Sequence, residues 1–227
     1  MKNNLYIEKV KNHKKIFTNL EKIYEKKWKW QNFFWNKNNI ILEIWTGLWN
    51  YFSKNVNENL EKNFIWMEIT YKRIFKTAEK TLGNVKNNDN SKNNLNLEKK
   101  NDNFILLKDY WEKIFEIFDE NEISQTIIFF PDPWEKSEKT KKRRLLQFEF
   151  LENLYKITKK SWKLFFKTDH KEYFDFVLSE LKKTNWKIVF KTYDYEKEGL
   201  YDANSITEFE QIFRGQNLKV NYLEVER

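Results

Sequence analysis

The stretch ILEIWTGLWNYFSK, residues 40–53, decides the fold of this chain. Its apolar beginning predicts a buried β-strand at 40–44, and the pattern from about 47 to 57 predicts a helix after a short loop. A strand, a tight loop and a helix are the usual opening of a nucleotide-type cofactor fold. However, Trp45 and Trp49 stand where such a loop needs glycine, because the backbone must turn sharply and approach its ligand. The stretch therefore predicts a cofactor loop with two unsuitable residues.

Strand and helix patterns alternate along the rest of the chain. Strand patterns recur at 63–69, 104–109, 124–130, 163–169, 187–195 and 218–225, and helical patterns lie at 70–81, 111–118, 141–160 and 171–184. Strands interleaved with helices indicate the α/β class, with a mostly parallel, seven-stranded sheet and helices on both faces. The single alternating series predicts one domain over 1–227. Residues 1–36, partly helical between 5 and 27, are interpreted as an N-terminal appendage, and the polar residues 84–103 as a flexible surface insertion.

The composition excludes several classes of protein. The 227 residues include no cysteine and two histidines that are far apart, so we expect no disulfide framework, no thiolate nucleophile and no metal site. No run of about 18 apolar residues and no leader pattern occur, so we expect a cytoplasmic protein without membrane association. The net charge of +8 favours a polyanionic partner. The sequence leaves open whether the protein is a monomer or a homodimer.

Acidic residues follow the predicted strands at the edge where parallel sheets bind ligands. They are Glu43 in the first strand, and Glu68, Asp109, Asp132 and Asp169 after the second to fifth strands. One acid at a strand end is usually a helix cap, but five at one edge indicate a site. Glu68 is placed for the ribose hydroxyls of a nucleoside. No G-x-x-x-x-G-K-[ST] phosphate motif occurs, and carboxylates suit the sulfonium cation of S-adenosylmethionine, which favours methyl transfer.

The most specific motif is IIFFPDPWEKSEKTKKRR, residues 127–144, in which a hydrophobic strand ends in FFPDPW and a basic helix start follows. On a purely structural interpretation, PDP is a rigid turn and the basic run is a solvated helix face. The combination resembles the signature of the bacterial tRNA (guanine-N7)-methyltransferases, a class I S-adenosylmethionine-dependent family. The segments FKTDHKEYFDFVLSEL (166–181) and TEFEQIFRGQNLKVNYLEVER (207–227) support the resemblance, which extends from about residue 33 to the C-terminus.

The resemblance implies a Rossmann-like methyltransferase fold, S-adenosylmethionine as cofactor, and methylation of N7 of the guanosine at position 46 in the variable loop of tRNA. It implies cofactor contacts from Glu43, Trp45, Gly47, Glu68, Asp109 and Asp132, with Asp132 as the catalytic carboxylate. It implies substrate contacts from Lys136, Asp169, Thr207, Glu208, Phe209 and Glu210. The RNA phosphates are expected to contact Lys139, Lys141, Lys142, Arg143 and Arg144. The register at Asp109 is the least secure, since the adjacent insertion could displace it.

Three of these residues have a structural alternative. Thr207 and Glu210 also form a T-x-x-E capping box, and Asp169 also suits the N-cap of the helix that begins near His170. His170 is interpreted as a surface or cap residue, because N7 of guanine carries an in-plane lone pair and needs no histidine base. If the basic run and PDPW are coincidental, the alternative is a class I methyltransferase acting on protein or a small molecule.

Tryptophan and glycine are present in unusual numbers. The chain has 10 Trp and 4 Gly, whereas ordinary glycine usage of about 7% predicts roughly 16. Trp45, Trp49, Trp66 and Trp162 stand where the family has glycine. Further tryptophans in turn-like contexts are Trp28, Trp30, Trp35 and Trp186, while Trp111 is ambiguous and Trp134 is the family's own.

Two hypotheses explain these tryptophans. Some bacteria read UGA as glycine, and translating their genes with UGA as tryptophan would print Trp at glycine positions. We prefer this decoding hypothesis, because random decay would not choose glycine-to-tryptophan changes repeatedly. The other hypothesis takes every Trp as real and predicts a non-catalytic RNA-binding paralogue, since an indole at 45 or 49 would occupy the space of the cofactor.

Overall fold

The structure is a computed structural model that describes residues 5–18, 23–25, 27, 29–44, 50–83, 102–198 and 206–227. Its strands are β1 (Ile16–Phe17), β2 (Asn39–Ile44), β3 (Lys62–Met67), β4 (Phe104–Leu107), β5 (Ile123–Phe129), β6 (Thr158–Thr168), β7 (Lys187–Thr192) and β8 (Asn221–Glu226). Its helices are α1 (Tyr6–Lys11), α2 (Trp30–Phe33), α3 (Asn50–Glu58), α4 (Tyr71–Thr81), α5 (Ile114–Ile117), α6 (Glu138–Lys141), α7 (Phe148–Ile157), α8 (Lys171–Leu181) and α9 (Glu208–Gly215). A 3-10 turn at Trp111–Lys113 precedes α5.

The eight strands form one sheet in the order β1-β4-β3-β2-β5-β6-β8-β7. Neighbours from β1 to β6 pair in parallel, whereas β8 runs antiparallel to both β6 and β7. This arrangement confirms the predicted α/β class with a mostly parallel sheet. The strand count exceeds the predicted seven, because β1, within the N-terminal residues, pairs with β4 at the edge.

Side chains of the central strands alternate between two apolar clusters, one on each face of the sheet. In β2, Ile40, Leu42 and Ile44 belong to one cluster and Ile41 to the other. Helices α2, α5, α7 and α8 cover the first face, and α1, α3, α4 and α9 cover the second. Because both faces are covered, the central strands are mainly apolar along their length. Burial of each such isoleucine or leucine contributes about 1.5–3 kcal/mol.

The strand order reverses at β2, which is the topological switch point of the sheet. The chain passes outward from β2 to β3 and β4, and then returns to β5 on the other side of β2. The loops after β2 and β5 therefore lead away from each other, and open parallel sheets bind ligands in the crevice between two such loops. Residues 45–49, after β2, lie outside the described residues, as does most of the predicted insertion at 84–103.

The basic segment departs from the prediction. The sequence predicts one helix over 141–160, but the structure has the short α6 and the later α7, separated by non-helical residues 142–147. Leu145 and Leu146 are buried in this interruption. The predicted helix is therefore interrupted where these two leucines are buried. β6 also begins at Thr158, earlier than predicted.

The two edges of the sheet are built differently. β1, at one edge, is two residues long and covers β4. β7, at the other edge, leaves Ile188 and Val189 exposed to solvent, between Lys187 and Lys191. Its pairing with β8 shifts register between Ile188 and Phe190. Every helix among the described residues is too short or too polar to span a membrane.

Candidate active site

Three predicted cofactor acids lie buried along the carboxyl ends of β2, β3 and β4. Glu43, Glu68 and Asp109 are each between 1% and 6% exposed. The three strands pair in parallel register up to these ends, so their carboxylates lie along one edge. Helix α3 lies close to Glu43: the pKa of Tyr51 is raised, first by burial and then by the negative charge of Glu43. We call Glu43, Glu68 and Asp109 the closed side of the site.

Backbone N–H groups orient two of these acids. Glu68 Oε1 accepts from the N–H of Thr70 at 2.7 Å, and Asp109 Oδ1 accepts from the N–H of Tyr110 at 2.8 Å. Arg73 Nη1 lies 3.8 Å from Glu68 Oε2. A carboxylate has about four lone-pair sites, so each retains acceptor capacity. Asp109 lies two residues after the end of β4.

A strained turn follows β5 on the other side of the switch point. Phe130 has a φ of 53° although it precedes Pro131, whereas residues before proline favour extended backbone. Its N–H donates to the Lys167 carbonyl at 2.8 Å, and its ring packs against Phe209 with centroids 6.4 Å apart. These contacts hold the left-handed residue in place. The turn leaves Asp132 exposed between two prolines.

Arg144 holds the far side of this turn. Its Nε donates to the carbonyl of Pro133 at 2.8 Å, and its Nη2 lies 3.5 Å from Glu172 Oε1. The guanidinium also lies over the Tyr173 ring, 5.1 Å from its centroid, and the residue is 3% exposed. The structure therefore corrects the predicted role of Arg144. It positions the turn that carries Asp132, and its charge does not face solvent where RNA could contact it.

The other basic residues divide into two kinds. Lys141 Nζ lies 2.8 Å from Glu138 Oε1 and 2.7 Å from Glu172 Oε1, and these carboxylates raise the pKa of Lys141. Its charge is therefore already paired. Within residues 136–144, the exposed cations that form no ion pair with any described residue are Lys136, Lys139, Lys142 and Arg143. We call these four residues the basic surface. The guanidinium of Arg143 lies 5.4 Å from the Trp134 ring centroid.

Asp169 follows β6, next to the strained turn. Burial raises the pKa of Asp169 above its usual 3.8. The predicted cap role belongs to His170, whose Nδ1 accepts from the N–H of Tyr173 at 3.1 Å, and not to Asp169. His170 Nε2 lies 2.6 Å from Glu135 Oε2. The loops after β5 and β6 therefore contact each other through this pair.

The segment TEFE, residues 207–210, begins α9. Thr207 Oγ1 accepts from the N–H of Glu210 at 3.1 Å, which confirms one half of the predicted capping box. Glu208 Oε1 accepts from the N–H of Asn50 at 2.9 Å. Because Asn50 directly follows residues 45–49, the predicted substrate segment meets the end of the predicted cofactor loop.

Glu210 differs from the prediction that it contacts substrate. Its Oε2 lies 2.8 Å from Lys167 Nζ, and its Oε1 accepts from Arg214 Nη2 at 2.6 Å. Lys167 and Glu210 are 1% and 0% exposed, and Lys167 Nζ also lies 4.3 Å from the ring centroid of Tyr195. Both carboxylate oxygens thus bind cations. Glu210 fixes α9 on the sheet instead of reaching into the open site.

Sequence reasoning missed Arg73, Lys167 and Glu172 as parts of this region. Lys167 carried a signal: it is a lysine in the otherwise apolar strand end LFFKT, and a buried lysine requires a carboxylate partner. Arg73 and Glu172 carried no such sequence signal, because each is a charged residue in a helix pattern where solvated charges are common.

Comparison with known proteins identifies the family of this chain. A family profile described as "Putative methyltransferase" matches residues 37–223. The tRNA (guanine-N(7)-)-methyltransferase of Clostridium botulinum strain Okra is 31% identical over 195 residues, which cover 86% of this chain and 85% of that protein. The chain belongs to the tRNA (guanine-N7)-methyltransferase family.

Other relatives place the family in a wider context. A bifunctional glycosyltransferase/methyltransferase of Fusobacterium nucleatum is 35% identical over 228 residues, covering 99% of this chain and 33% of that protein. The chain thus spans a third of the length of this relative. The solved 16S rRNA methyltransferase KamB has a TM-score of 0.58 at 11% identity, covering 92% of this chain and 94% of its own. An antibiotic-related methyltransferase has a TM-score of 0.57 at 14% identity, covering 93% and 94%. These structures show the shared Rossmann-like methyltransferase fold.

Positions where the family has glycine differ in their surroundings. Trp45, Trp49 and the predicted contact Gly47 lie outside the described residues, as does Trp28. Trp66 is buried in β3, with its ring 5.9 Å from that of Phe52. Ser161, next to Trp162, has a φ of 62° where β6 shifts its register against β5. A left-handed residue fits the glycine turn that the family has at this point.

Trp35 occupies the C′ position of a Schellman motif at the end of α2. Its N–H donates to the Asn32 carbonyl at 3.1 Å, and the N–H of Asn36 donates to the Gln31 carbonyl at 3.3 Å. Its φ is 55° and its side chain is 94% exposed. Glycine is the usual C′ residue, because it has no Cβ to oppose a positive φ. The indole therefore strains the backbone and gains no packing.

The carboxylate acceptors on the closed side fit S-adenosylmethionine, the cofactor of the family. Buried carboxylates can accept ribose hydroxyls and attract a sulfonium cation. Glu68 lies directly after β3, at the position for which the sequence predicts a ribose acceptor. Among the described residues, no group of three or more His, Asp or Glu could hold a metal ion.

Proposed function

We propose that the chain is an S-adenosylmethionine-dependent tRNA (guanine-N7)-methyltransferase acting on the guanosine at position 46 in the variable loop. The observation that carries the proposal is the strained turn Pro131–Asp132–Pro133. It presents an exposed carboxylate at the switch point, between the buried acids of the closed side and the basic surface. The name of the Clostridium botulinum relative supports this activity. With tRNA as its substrate, the protein would act in the cytoplasm.

Glu43, Glu68 and Asp109 are the described residues that would hold S-adenosylmethionine, together with positions 45 and 47 of the loop after β2. When bound, this cofactor supplies an electrophilic methyl group on a sulfonium sulfur. Glu68 and Asp109 are pre-oriented by backbone N–H groups, so little side-chain freedom is lost when they accept a ligand.

Asp132 would hold the guanine base and stabilise the positive charge that the purine gains during transfer. N7 carries an in-plane lone pair, so no proton is removed from it, and alignment and electrostatics supply most of the catalysis. The turn suits alignment because proline fixes φ on both sides of Asp132 and Arg144 holds the Pro133 carbonyl. Lys136 and Asp169 would add further substrate contacts.

The basic surface would bind tRNA phosphates next to Asp132. Phosphate contacts position a nucleic acid, and the target base must leave its stacking environment to reach an active site. Exposed cations without a carboxylate partner suit this role, since no existing ion pair has to be broken. Thr207, Glu208 and Phe209 would line the pocket beside the strained turn, next to Asn50 at the end of the cofactor loop.

Formation of N7-methylguanosine on unmodified tRNA tests the proposal. We expect methyl transfer to the variable-loop guanosine, and a loss of about 10²–10³ in turnover for Asp132→Asn. Asp102→Asn is the matched control, because Asp102 is an exposed aspartate at the opposite, amino end of β4. Near-normal turnover in Asp132→Asn would remove its catalytic role. Preferential methylation of a protein or a small molecule in a substrate panel would favour the alternative methyltransferase class.

We further propose that the natural chain carries glycine where several tryptophans are printed, at 45, 49, 66 and 162. The Schellman motif at Trp35 and the left-handed Ser161 beside Trp162 support this, whereas the buried packing of Trp66 favours the alternative of a non-catalytic RNA-binding paralogue. The codons of the natural gene test this proposal directly. UGA at the four positions with UGG at 134 supports the decoding hypothesis, and UGG at all five positions contradicts it.

Activity of two synthetic genes provides a second measurement, one as printed and one with glycine at the four positions. Methylation by the glycine form alone would identify the tryptophans as the cause of inactivity.

In the chain as printed, Trp35→Gly should raise the free energy of unfolding by about 1 kcal/mol, because a strained left-handed conformation is relieved. Trp30→Gly should lower it by about 3–5 kcal/mol, because Trp30 is fully buried.

A further inference from the structure

The N-terminal residues pack closely against the segment that follows β4. Trp30 is fully buried, and its indole Nε1 donates to the carbonyl of Ile117 at 3.0 Å. Its backbone N–H donates to Glu122 Oε1 at 3.3 Å, and Lys27 Nζ donates to the carbonyl of Phe115 at 2.7 Å. With β1 paired to β4, these contacts make the predicted appendage part of the same folded unit.

Within this packing, one N-terminal side chain reaches a cofactor acid. The hydroxyl of Tyr24 donates to Asp109 Oδ2 at 3.4 Å, and the same hydroxyl oxygen accepts from Lys113 Nζ at 3.0 Å. Asp109 Oδ1 is already held by the N–H of Tyr110. The carboxylate is therefore held at both oxygens, by its own turn on one side and by the N-terminal segment on the other.

The bond direction in this chain of groups is fixed by chemistry. A lysine ammonium only donates, so the Tyr24 oxygen must accept from Lys113 and its single hydrogen is free for Asp109. The hydrogen bond to Tyr24 raises the pKa of Lys113, which keeps the donor charged. A charged donor behind a hydroxyl polarises it and strengthens the bond to the carboxylate.

We propose that Tyr24 is a positioning residue for Asp109, so that the N-terminal segment completes the cofactor site. The inference rests on the proposed use of Asp109 to bind S-adenosylmethionine. Without the phenol, the carboxylate is held at one oxygen and can rotate away from its ligand. The segment then serves cofactor affinity, and RNA binding does not depend on the Tyr24 hydroxyl.

Direct binding of S-adenosylhomocysteine, measured by calorimetry without tRNA, tests the inference. Tyr24→Phe should weaken binding about 3–10-fold, as expected for the loss of one typical hydrogen bond that acts through Asp109. Asp109→Asn should weaken it as well, and in that background Tyr24→Phe should have no further effect. Tyr155→Phe, at the amino end of the sheet in α7, is the matched control and should bind as the parent does.

Each result has a defined meaning. Equal binding by Tyr24→Phe and the parent overturns the inference, as do additive losses in the double variant, because Tyr24 would then not act through Asp109. The parent is measured as printed and with Trp45→Gly and Trp49→Gly. If neither form binds S-adenosylhomocysteine, the proposed cofactor fails and the inference fails with it. Unchanged thermal midpoints show that a loss of affinity does not come from unfolding.

Discussion

The carboxylates on the two sides of the switch point differ in burial and in what holds them. On the closed side, Glu68 and Asp109 are buried and accept hydrogen bonds from backbone N–H groups. On the other side, which we call the open side, Asp132 is exposed on a strained turn and Asp169 is half-buried. The same residue type at the same sheet edge thus occurs in two different environments.

This difference matches two kinds of ligand. A small ligand that is always the same can be enclosed by fixed, buried acceptors. A macromolecule brings its own surface, so the groups that face it remain exposed until it covers them. The open side is consequently held from beneath, by Arg144 under the turn and by the Lys167–Glu210 pair under α9.

The largest expected effect concerns this support. Lys167→Met should lower the free energy of unfolding by about 3 kcal/mol, because the buried Glu210 carboxylate loses one of its two cations. Urea or thermal unfolding measures the change. The double variant Lys167→Met with Glu210→Leu should recover part of the loss.

Lys171→Met is the control for this experiment, because Lys171 forms an exposed pair with Asp175. Its stability should change little. Equal losses in both lysine variants would show that the open side does not depend on the buried pair.

The second effect separates the two sides by function. Glu68→Gln should weaken binding of S-adenosylhomocysteine about tenfold or more, since a charged acceptor is lost. Asp132→Asn should leave that binding unchanged and reduce turnover about 10²–10³-fold. Calorimetry and single-turnover methylation measure the two quantities. If both variants lose cofactor affinity equally, the division into closed and open sides is wrong.

The third effect concerns the basic surface. Changing Lys139, Lys142 and Arg143 together to glutamine should weaken tRNA binding and reduce the slope of log affinity against log salt by about 2–3. A triple change of Lys156, Lys160 and Lys182 to glutamine, at exposed positions outside β7, is the matched control. Lys141→Gln should have less effect than any of the three, because its charge is already paired. An unchanged slope would mean that the basic surface is merely solvated.

The smallest effect is the pH dependence from Asp169. Its folded-state pKa is raised by burial, so its contribution to stability is present below about pH 3.8 and is lost as the pH rises through the folded-state value. Asp169→Asn stays neutral and avoids this loss. The midpoint of thermal unfolding is measured for Asp169→Asn and the parent across this pH range. The difference between the two midpoints should grow as the pH rises through that window and stay constant above it. A constant difference at every pH would contradict the raised pKa.

The sequence was sufficient for the central strands of the sheet and for the positions of the three closed-side acids. Apolar strands of β2 to β5 recur at regular intervals, and an acid at a parallel strand end must lie at the ligand-binding edge, whatever the details of packing. These features depend on local pattern and on one topological rule.

The remaining features depend on distant partners. Arg144 and Lys142 lie in one basic run, but Arg144 is buried and donates to the carbonyl of Pro133, 11 residues earlier, whereas Lys142 is exposed. Glu210 matches a capping box, but Lys167, 43 residues earlier, takes its carboxylate. The contact between Tyr24 and Asp109 spans 85 residues, which no local periodicity can reveal.

The exposed β7 edge has a consequence for association between copies of the chain. A sheet edge is a template for pairing with another strand, and apolar exposed residues such as Ile188 and Val189 add to that hazard. The register shift at Val189 interrupts the row of edge hydrogen-bonding groups, and Lys187 and Lys191 place like charges opposite any second copy. Edge-to-edge growth into aggregates is thereby disfavoured. Removing both lysines would turn this edge into the most aggregation-prone part of the described sheet.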